Sequence, residues 1–457
     1  MMQNEALSYF ESHSQDFLSQ LIEFVKIPSI STDPLRKADV LHAAQHIAKK
    51  LTSIGLEHVE VFPTARHPIV YGDHLHAGAG QPTILIYGHY DVQPEDPVEL
   101  WNSPAFEPVI KDDKLFARGA SDMKGQIFAS IAAVESIMKT SPFPVNIKFI
   151  LEGEEEIGSL NFKKFLEEHK ELLKSDIALN PDSGMAAKDT PTIVYGLRGL
   201  SYFEIRVFGP ERDLHSGSYG GVIHNPAQVL CELISKMHDE NGRITLPGFY
   251  DRVKPLSDVE RQELARHNQD DKYFCEQTGV KELWGEKGYT PIERTGARPT
   301  LEVNGFLSGF TGEGSKTIIP SKAMAKISTR LVPDQKPEEV RDQLEAFLKA
   351  NAPSTVRWEL DLISVGSPSI SDINLPETKA LVKALKDVWG IDPIYKREGG
   401  SISVVADMQE ILGIDSVLTG FGLPDDRIHS PNEKLDLPTW HKGVKALIHF
   451  FYNSKRQ

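Results

Sequence analysis

Five short stretches of this sequence carry side chains that could bind a cation or move a proton. GHYDV supplies His89 and Asp91 at the end of an apolar run. Residues two apart on a strand point the same way. A carboxylate beside an imidazole fixes its tautomer and raises its basicity, as a metal-bound histidine requires. RGASDMKG supplies Asp122, just before an apolar helical pattern. EGEEEIGS packs Glu152, Glu154, Glu155 and Glu156 together. Like charges this dense raise one another's pKa values, and a cation relieves them. NPDSG supplies Asp182, and RIHSPNE supplies His429.

Each stretch also has a plainer reading. GHYDV could be an exposed strand end, Asp122 a helix cap, the glutamates a solvated helix start, Asp182 an Asx turn and His429 a lone surface histidine. Together, however, His89, Asp122, Glu156, Asp182 and His429 fall at the ends of sheet elements. Nitrogen and carboxylate donors without thiolate suit zinc, manganese or cobalt. Five ligands exceed one tetrahedral catalytic site, which uses three plus water. They match two metals sharing one carboxylate, a recognised hydrolytic design.

Elements able to position these residues are legible around them. HVEVF, PIVYG, TILIYGH, NIKFILEG and DIALNPD read as strands, with TILIYGH a buried strand whose end opens to solvent. Helical patterns precede them: Leu7, Phe10, Phe17, Leu21, Phe24 and Val25 share one face, and another helix spans about 38–53. Helices also fall between the strands, near 125–138 and 160–173. This alternation predicts an α/β domain with a mostly parallel central sheet flanked by helices, with ligands at the strand C-termini. After Tyr195 the pattern changes. YFEIRVFG and MAKISTRLV alternate by two, VRWELDLI reads as a further strand, and helices fall near 226–237 and 337–350. This predicts a smaller antiparallel α+β layer. The expected organisation is a catalytic domain over 1–196 and 368–457, interrupted by a second domain over 197–367 with a polar helical insertion at about 239–298. In the final part, helices are expected over 377–389, 401–412 and 437–453.

The bulk properties exclude several classes. At 457 residues the chain is too long for one ordinary core. A formal net charge of −15 and no basic stripe argue against nucleic acid. The two cysteines, Cys231 and Cys275, form no disulfide framework or thiolate site and fit a reducing compartment. The start, MMQNEALSYFESHSQDF, has neither the basic nor the apolar region of a signal peptide. No apolar run approaches the roughly 18 residues of a spanning helix. A cytoplasmic protein without membrane contact is expected. TGEGSKT resembles a phosphate loop, but Ser315 stands before Lys316 where that loop needs glycine.

Nine stretches, in order, carry a resemblance: GHYDVQP, RGASDMKG, EGEEEIGS, IVYGLRG, DLHSGSYGG, GSKTIIP, STRLVPD, EGGSISV and HSPNE. Over nearly its whole length the chain resembles the zinc exopeptidases that include aminoacylase, desuccinylase, glutamate carboxypeptidase and carnosinase, and is most similar to the cytosolic non-specific dipeptidase and carnosinase branch. The resemblance implies that His89 and Asp182 bind one zinc, Glu156 and His429 a second, and that Asp122 bridges both. It implies that Asp91 orients His89 and that Glu155 is the general base, leaving Glu154 outside the site. It also implies a cis peptide bond after Asp122, where Met123 replaces a frequent second Asp. The second domain resembles the family's lid and dimerisation domain. There His215 and Thr317 would reach a partner subunit's site in a homodimer, and Arg330 would clamp the substrate's terminal carboxylate, assisted by Ser401 and Gly400.

The function expected is a metal-dependent dipeptidase acting on small peptides. The family tends to carry Asp at the Asp182 position in aminopeptidases and dipeptidases, and Glu in carboxypeptidases and N-acyl amidohydrolases. The alternative is an N-acyl or N-succinyl amino acid amidohydrolase with the same metals. A metal-free homologue serving as a dimeric binding protein is a third reading, opposed by the filled ligand positions.

Overall fold

The computed structural model describes residues 2–400 and 402–456. Its chain divides into two compact units: residues 1–195, 371–396 and 407–457, and residues 196–370 and 397–406.

The first unit is built on a mixed sheet. Its strands run in the order Glu57–Phe62, Ile69–His74, Asn146–Glu152, Thr83–His89, Ile177–Asn180, Ser416–Leu418 and Thr192–Leu197. Thr83–His89 pairs parallel with both of its neighbours, and Ser416–Leu418 pairs parallel with Ile177–Asn180. The pairings outside this centre are antiparallel. The parallel centre is where the apolar runs are continuous: Ile84, Leu85, Ile86 and Tyr87 are all fully buried. A strand covered on both faces needs such a run.

Helix Lys124–Met138 packs on strand Thr83–His89 and on helices Met2–Ser12, Ser14–Val25 and Leu437–Asn453. It begins where Gly125 passes the backbone: a Cβ there would stand 2.1 Å from the Ala120 carbonyl oxygen. Trp440 donates its indole N–H to the Gly125 carbonyl at 2.9 Å, tying the last helix to the same point.

Some expected helices are divided. The N-terminal amphipathic face is carried by two helices that break at His13. The helix expected over 160–173 is two short ones, Phe162–Glu168 and Lys170–Leu173. His169 between them leaves helical geometry and lays its ring against Phe62 and Phe165. Within 401–412, a helix covers Ser403–Asp407 and widens into a π turn over Met408–Leu412.

The second unit holds a four-stranded antiparallel sheet in the order Thr300–Ser308, Lys322–Leu331, Gly199–Phe208, Arg357–Gly366. Helices Pro226–Ser235 and Pro337–Asn351 cover one face. Phe203, Ile205 and Val207 meet Val229, Leu230, Leu344 and Leu348 in its core. Each such side chain contributes about 1.5–3 kcal/mol on full burial. The insertion contains helices Asp258–Ala265, Asp271–Thr278 and Pro291–Gly296 with a small core of Leu256, Leu264, Ile292 and Ala297. Residues 397–406 cluster with this unit rather than with the sequence around them. The reason is local: Arg198 donates its backbone N–H to Glu398 O and its side chain to Gly399 O, and Arg397 pairs with Glu260.

Candidate metal centre

Strand Thr83–His89 ends by delivering His89 into the first unit, fully buried. Its Nε2 stands 3.2 Å from Asp122 Oδ1, 3.8 Å from Asp182 Oδ1 and 4.0 Å from Glu155 Oε2. On the other side, Asp122 Oδ2 lies 3.0 Å from His429 Nε2, which is 3.2 Å from Glu156 Oε2. Asp122 thus turns one carboxylate oxygen to each histidine. The donor atoms of His89, Asp122 and Asp182 lie within 4.8 Å of one another, as do those of Asp122, Glu156 and His429.

Both groups fit a divalent cation. Their donors are nitrogen and carboxylate oxygen, the set that suits zinc, manganese or cobalt. The buried His89 Nε2 makes no aligned hydrogen bond despite its carboxylate neighbours. Such an atom wants a partner on the line between them.

Charge is concentrated here. Burial pushes Asp122 upward, but His429 and His89 outweigh it and hold the carboxylate below its usual range. Asp122 and Glu156 hold His429 up at about 10. Burial raises Glu155 to about 9, against the opposing pull of His89, and the carboxylates of Asp182, Glu156 and Asp91 add to it.

The sequence profile of peptidase family M20/M25/M40 matches residues 85–453. The chain belongs to this family. Cys-Gly metallodipeptidase DUG1 of Candida albicans is 31% identical over 95% of this chain and 94% of its own. The human Beta-Ala-His dipeptidase is 30% identical over 98% of this chain and 92% of its own. Among solved structures, the M20 family metallo-carboxypeptidase Sso-CP2 of Sulfolobus solfataricus superposes with a TM-score of 0.85 at 33% identity, over 96% of this chain and 99% of its own.

Within this M20 chain the surroundings of the remaining candidates are as follows. Asp91 is fully buried, with Oδ1 3.5 Å from His89 Nδ1. Its carboxylate also accepts the backbone N–H groups of Glu155 and Glu156, at 3.3 and 3.1 Å. The hydrogen-bond partner of His89 Nδ1 is the Asp91 backbone carbonyl at 3.1 Å, while the Asp91 carboxylate holds the turn carrying both glutamates. Asp182 sits in a turn in which Asn180 Oδ1 accepts its N–H at 2.8 Å. The Asp122–Met123 peptide is cis, and Met123 Sδ accepts the His89 N–H at 3.2 Å. Glu154 points away from the two donor groups, accepting from Thr64, His67 and Asn161.

In the second unit His215 pairs with Ile318 across a two-stranded ribbon, which brings it next to Thr317. His215 is exposed, and its Nδ1 accepts the Gly217 N–H. Arg330 lies on strand Lys322–Leu331, beside a cavity. Gly400 has open space around its Cα. Ser401 lies outside the described residues.

Sequence reasoning passed over the supports. Glu433, fully buried, accepts the backbone N–H groups of Gly119, Ser121 and Asp122 and a 2.7 Å bond from Arg118. It stands four residues beyond His429, so it locks the His429 loop to the Asp122 loop. Ser121 Oγ and Lys434 Nζ both donate to Asp426 and fasten the same two loops again. Gln93 donates to Glu156 Oε2 at 2.8 Å. The only trace of Glu433 in the sequence was its place in HSPNE.

Proposed function

We propose that this chain is a two-metal dipeptidase that hydrolyses the amide bond of small peptides. His89 and Asp182 would hold one divalent ion, Glu156 and His429 the other, and Asp122 would bridge them. Zinc is the foremost candidate, with manganese or cobalt open to the same donors. When bound, such a pair lowers the pKa of water and polarises the scissile carbonyl. The observation that carries this reading is Asp122, whose two oxygens face two different histidines at 3.2 and 3.0 Å.

The chain's own residues supply the remaining work. Glu155, held by Asp91 through its backbone N–H, takes a proton from the attacking water and passes it to the leaving amine. Burial raises its affinity for that proton, which suits a group that must hold it between the two transfers. Arg330 binds the terminal carboxylate of the peptide, assisted by Gly400 and Ser401. His215 and Thr317, contributed across a homodimer, donate to the developing oxyanion. The dimer is supported by an edge strand, Thr300–Ser308, that exposes Val303, Phe306 and Leu307, and by Ile363 and Val365 on the opposite edge strand. Exposed apolar edges are surfaces that proteins normally cover.

The relatives named above support a peptide rather than an N-acyl amino acid as substrate. A carboxypeptidase acting on longer chains is a second reading, favoured by the 33% identity to the Sulfolobus enzyme. Asp182, where the resemblance associates Asp with dipeptidases, favours the first. Metal-loaded protein tested on dipeptides, tripeptides, longer peptides and N-acyl amino acids, with chelator controls, separates all three. Cleavage confined to dipeptides supports the proposal, and chelator-insensitive or absent cleavage ends it. A cytoplasmic setting is proposed on the two free thiols, Cys231 and Cys275. Among the described residues no helix is long and apolar enough to cross a membrane.

A further inference from the structure

A further group of imidazoles and carboxylates lies at the edge of the first unit's sheet. Glu57 opens the edge strand Glu57–Phe62 and pairs with Asp73, near the end of strand Ile69–His74. The register shifts between Glu57 and Glu60, and His58, inside that irregularity, has a φ of 50°. Bulges of this kind re-aim a side chain. Here His58 Nδ1 stands 2.9 Å from Asp73 Oδ1. One donor atom from each of Glu57, His58 and Asp73 lies within 4.8 Å of the others. His76 brings a second imidazole, its Nε2 3.0 Å from Glu57 Oε1.

Two ordinary ion pairs would also give short distances, but three features point beyond them. First, the Asp73 carboxylate is buried and already oriented. The Tyr71 hydroxyl donates to its Oδ2 at 2.7 Å, leaving Oδ1 to face His58. Metal-binding carboxylates are typically held in this way. Lys148, opposite Asp73 in the ladder, spends its ammonium on the carbonyls of Leu172 and Lys174, at 2.5 and 2.8 Å. Second, the spacing suits a small cation. Zinc bonds of about 2.0–2.1 Å in a tetrahedron place neighbouring donors about 3.3 Å apart, close to the 2.9 and 3.0 Å of the two pairs. Third, His74 lays its ring 4.8 Å from that of His76, and its buried Nδ1 makes no hydrogen bond. Buried polar atoms are normally paired.

This group is separate from the Asp122 centre. Asp73 aligns through Lys148 with Leu85, four residues before His89. That is about 13 Å along the strand. Across the sheet, the edge strand lies three places from Thr83–His89.

We propose that Glu57, His58 and Asp73, with His76, form an additional divalent-cation site that ties the edge strand to its neighbour across the bulge. Two imidazoles and two carboxylates without thiolate suit zinc, with copper or nickel open to the same donors. Glu57, His58 and His76 are exposed, so the ion exchanges with solvent. It leaves on dialysis and returns when zinc is added.

The test starts from full-length protein dialysed with its central ions in place and titrated with zinc chloride to about 1 mM, the range of weak binding. One further ion per chain is expected, counted by equilibrium dialysis. In His58→Asn it should be absent. Asn tolerates positive φ, and His58 is exposed, so this variant is expected to fold and to hydrolyse dipeptides as the wild type does. Because the site exists only in the folded chain, added zinc should raise the denaturant midpoint of the wild type and not that of the variant. No further ion, an unmoved wild-type midpoint, or an ion retained in His58→Asn, which is then an adventitious ion only, overturns the proposal. The central pair rests on Asp122 and is unaffected by any of these results.

Discussion

Glu433 accepts the backbone N–H of Asp122 at 3.0 Å, across 311 residues of sequence. Because Glu433 belongs to the loop that carries His429, this bond sets the distance between the proposed bridging carboxylate and one of its histidines. Replacing it with glutamine keeps the shape but loses the charge that Arg118 pairs with. Supporting residues of this kind typically cost about 10–100-fold in metal affinity when changed. Glu433→Gln is expected to weaken metal binding within that range, read by chelator competition. Unchanged affinity would mean that the loops are held well enough by Asp426 alone.

Glu155 and Glu156 are neighbours with different expected parts. Glu155→Gln should lower kcat by about 10²–10⁴-fold, the usual contribution of a proton-transfer group, with metal content unchanged. Glu156→Ala should instead lose metal. Two ions per chain in the Glu156 variant, together with full activity in the Glu155 variant, would reverse the assignment.

Metal binding should release protons. In the cation-free chain His429 is held at about 10, so at neutral pH it carries a proton that ligation must displace. Apparent affinity therefore rises with pH below that value and falls on acidification. Titrating zinc into weakly buffered protein at pH 7 should release at least about one proton per chain. Uptake of protons, or none moved, would show that the ligands are not those proposed.

The start of helix Lys124–Met138 should tolerate no added methyl. Gly125→Ala would press on the Ala120 carbonyl oxygen, a backbone atom that cannot step aside. Overpacking of this kind costs about 1–3 kcal/mol. A fall in the denaturant midpoint is expected, and an unchanged midpoint would show that the segment before the helix can shift.

The parts of this molecule legible in sequence are those with strong local signals. TILIYGH could be read as a buried strand because a strand covered on both faces needs an unbroken apolar run. YFEIRVFG could be read as a half-exposed one because its burial alternates residue by residue. The stretches around His89, Asp122, Glu156, Asp182 and His429 were legible only together and through the family resemblance, because each alone also reads as a strand end, a cap, a turn or a surface side chain. Features that depend on distant partners stayed hidden. Glu433 looks like any surface glutamate until its three backbone donors, more than 300 residues upstream, are in place. Arg198 sits in a motif that was noticed, but its hold on residues 397–400 and on the insertion comes from tertiary packing. The break at His169 follows from an aromatic contact with Phe62 that no helical periodicity encodes.

The central claim is that one carboxylate joins two cations. The most direct measurement is metal content and metal–metal distance, by elemental analysis and X-ray absorption, in the wild type and in Asp122→Asn. Two ions per chain about 3.5–4 Å apart, with the pair lost in the variant, is the predicted result. A single ion in the wild type, or an intact pair without the Asp122 carboxylate, would contradict it.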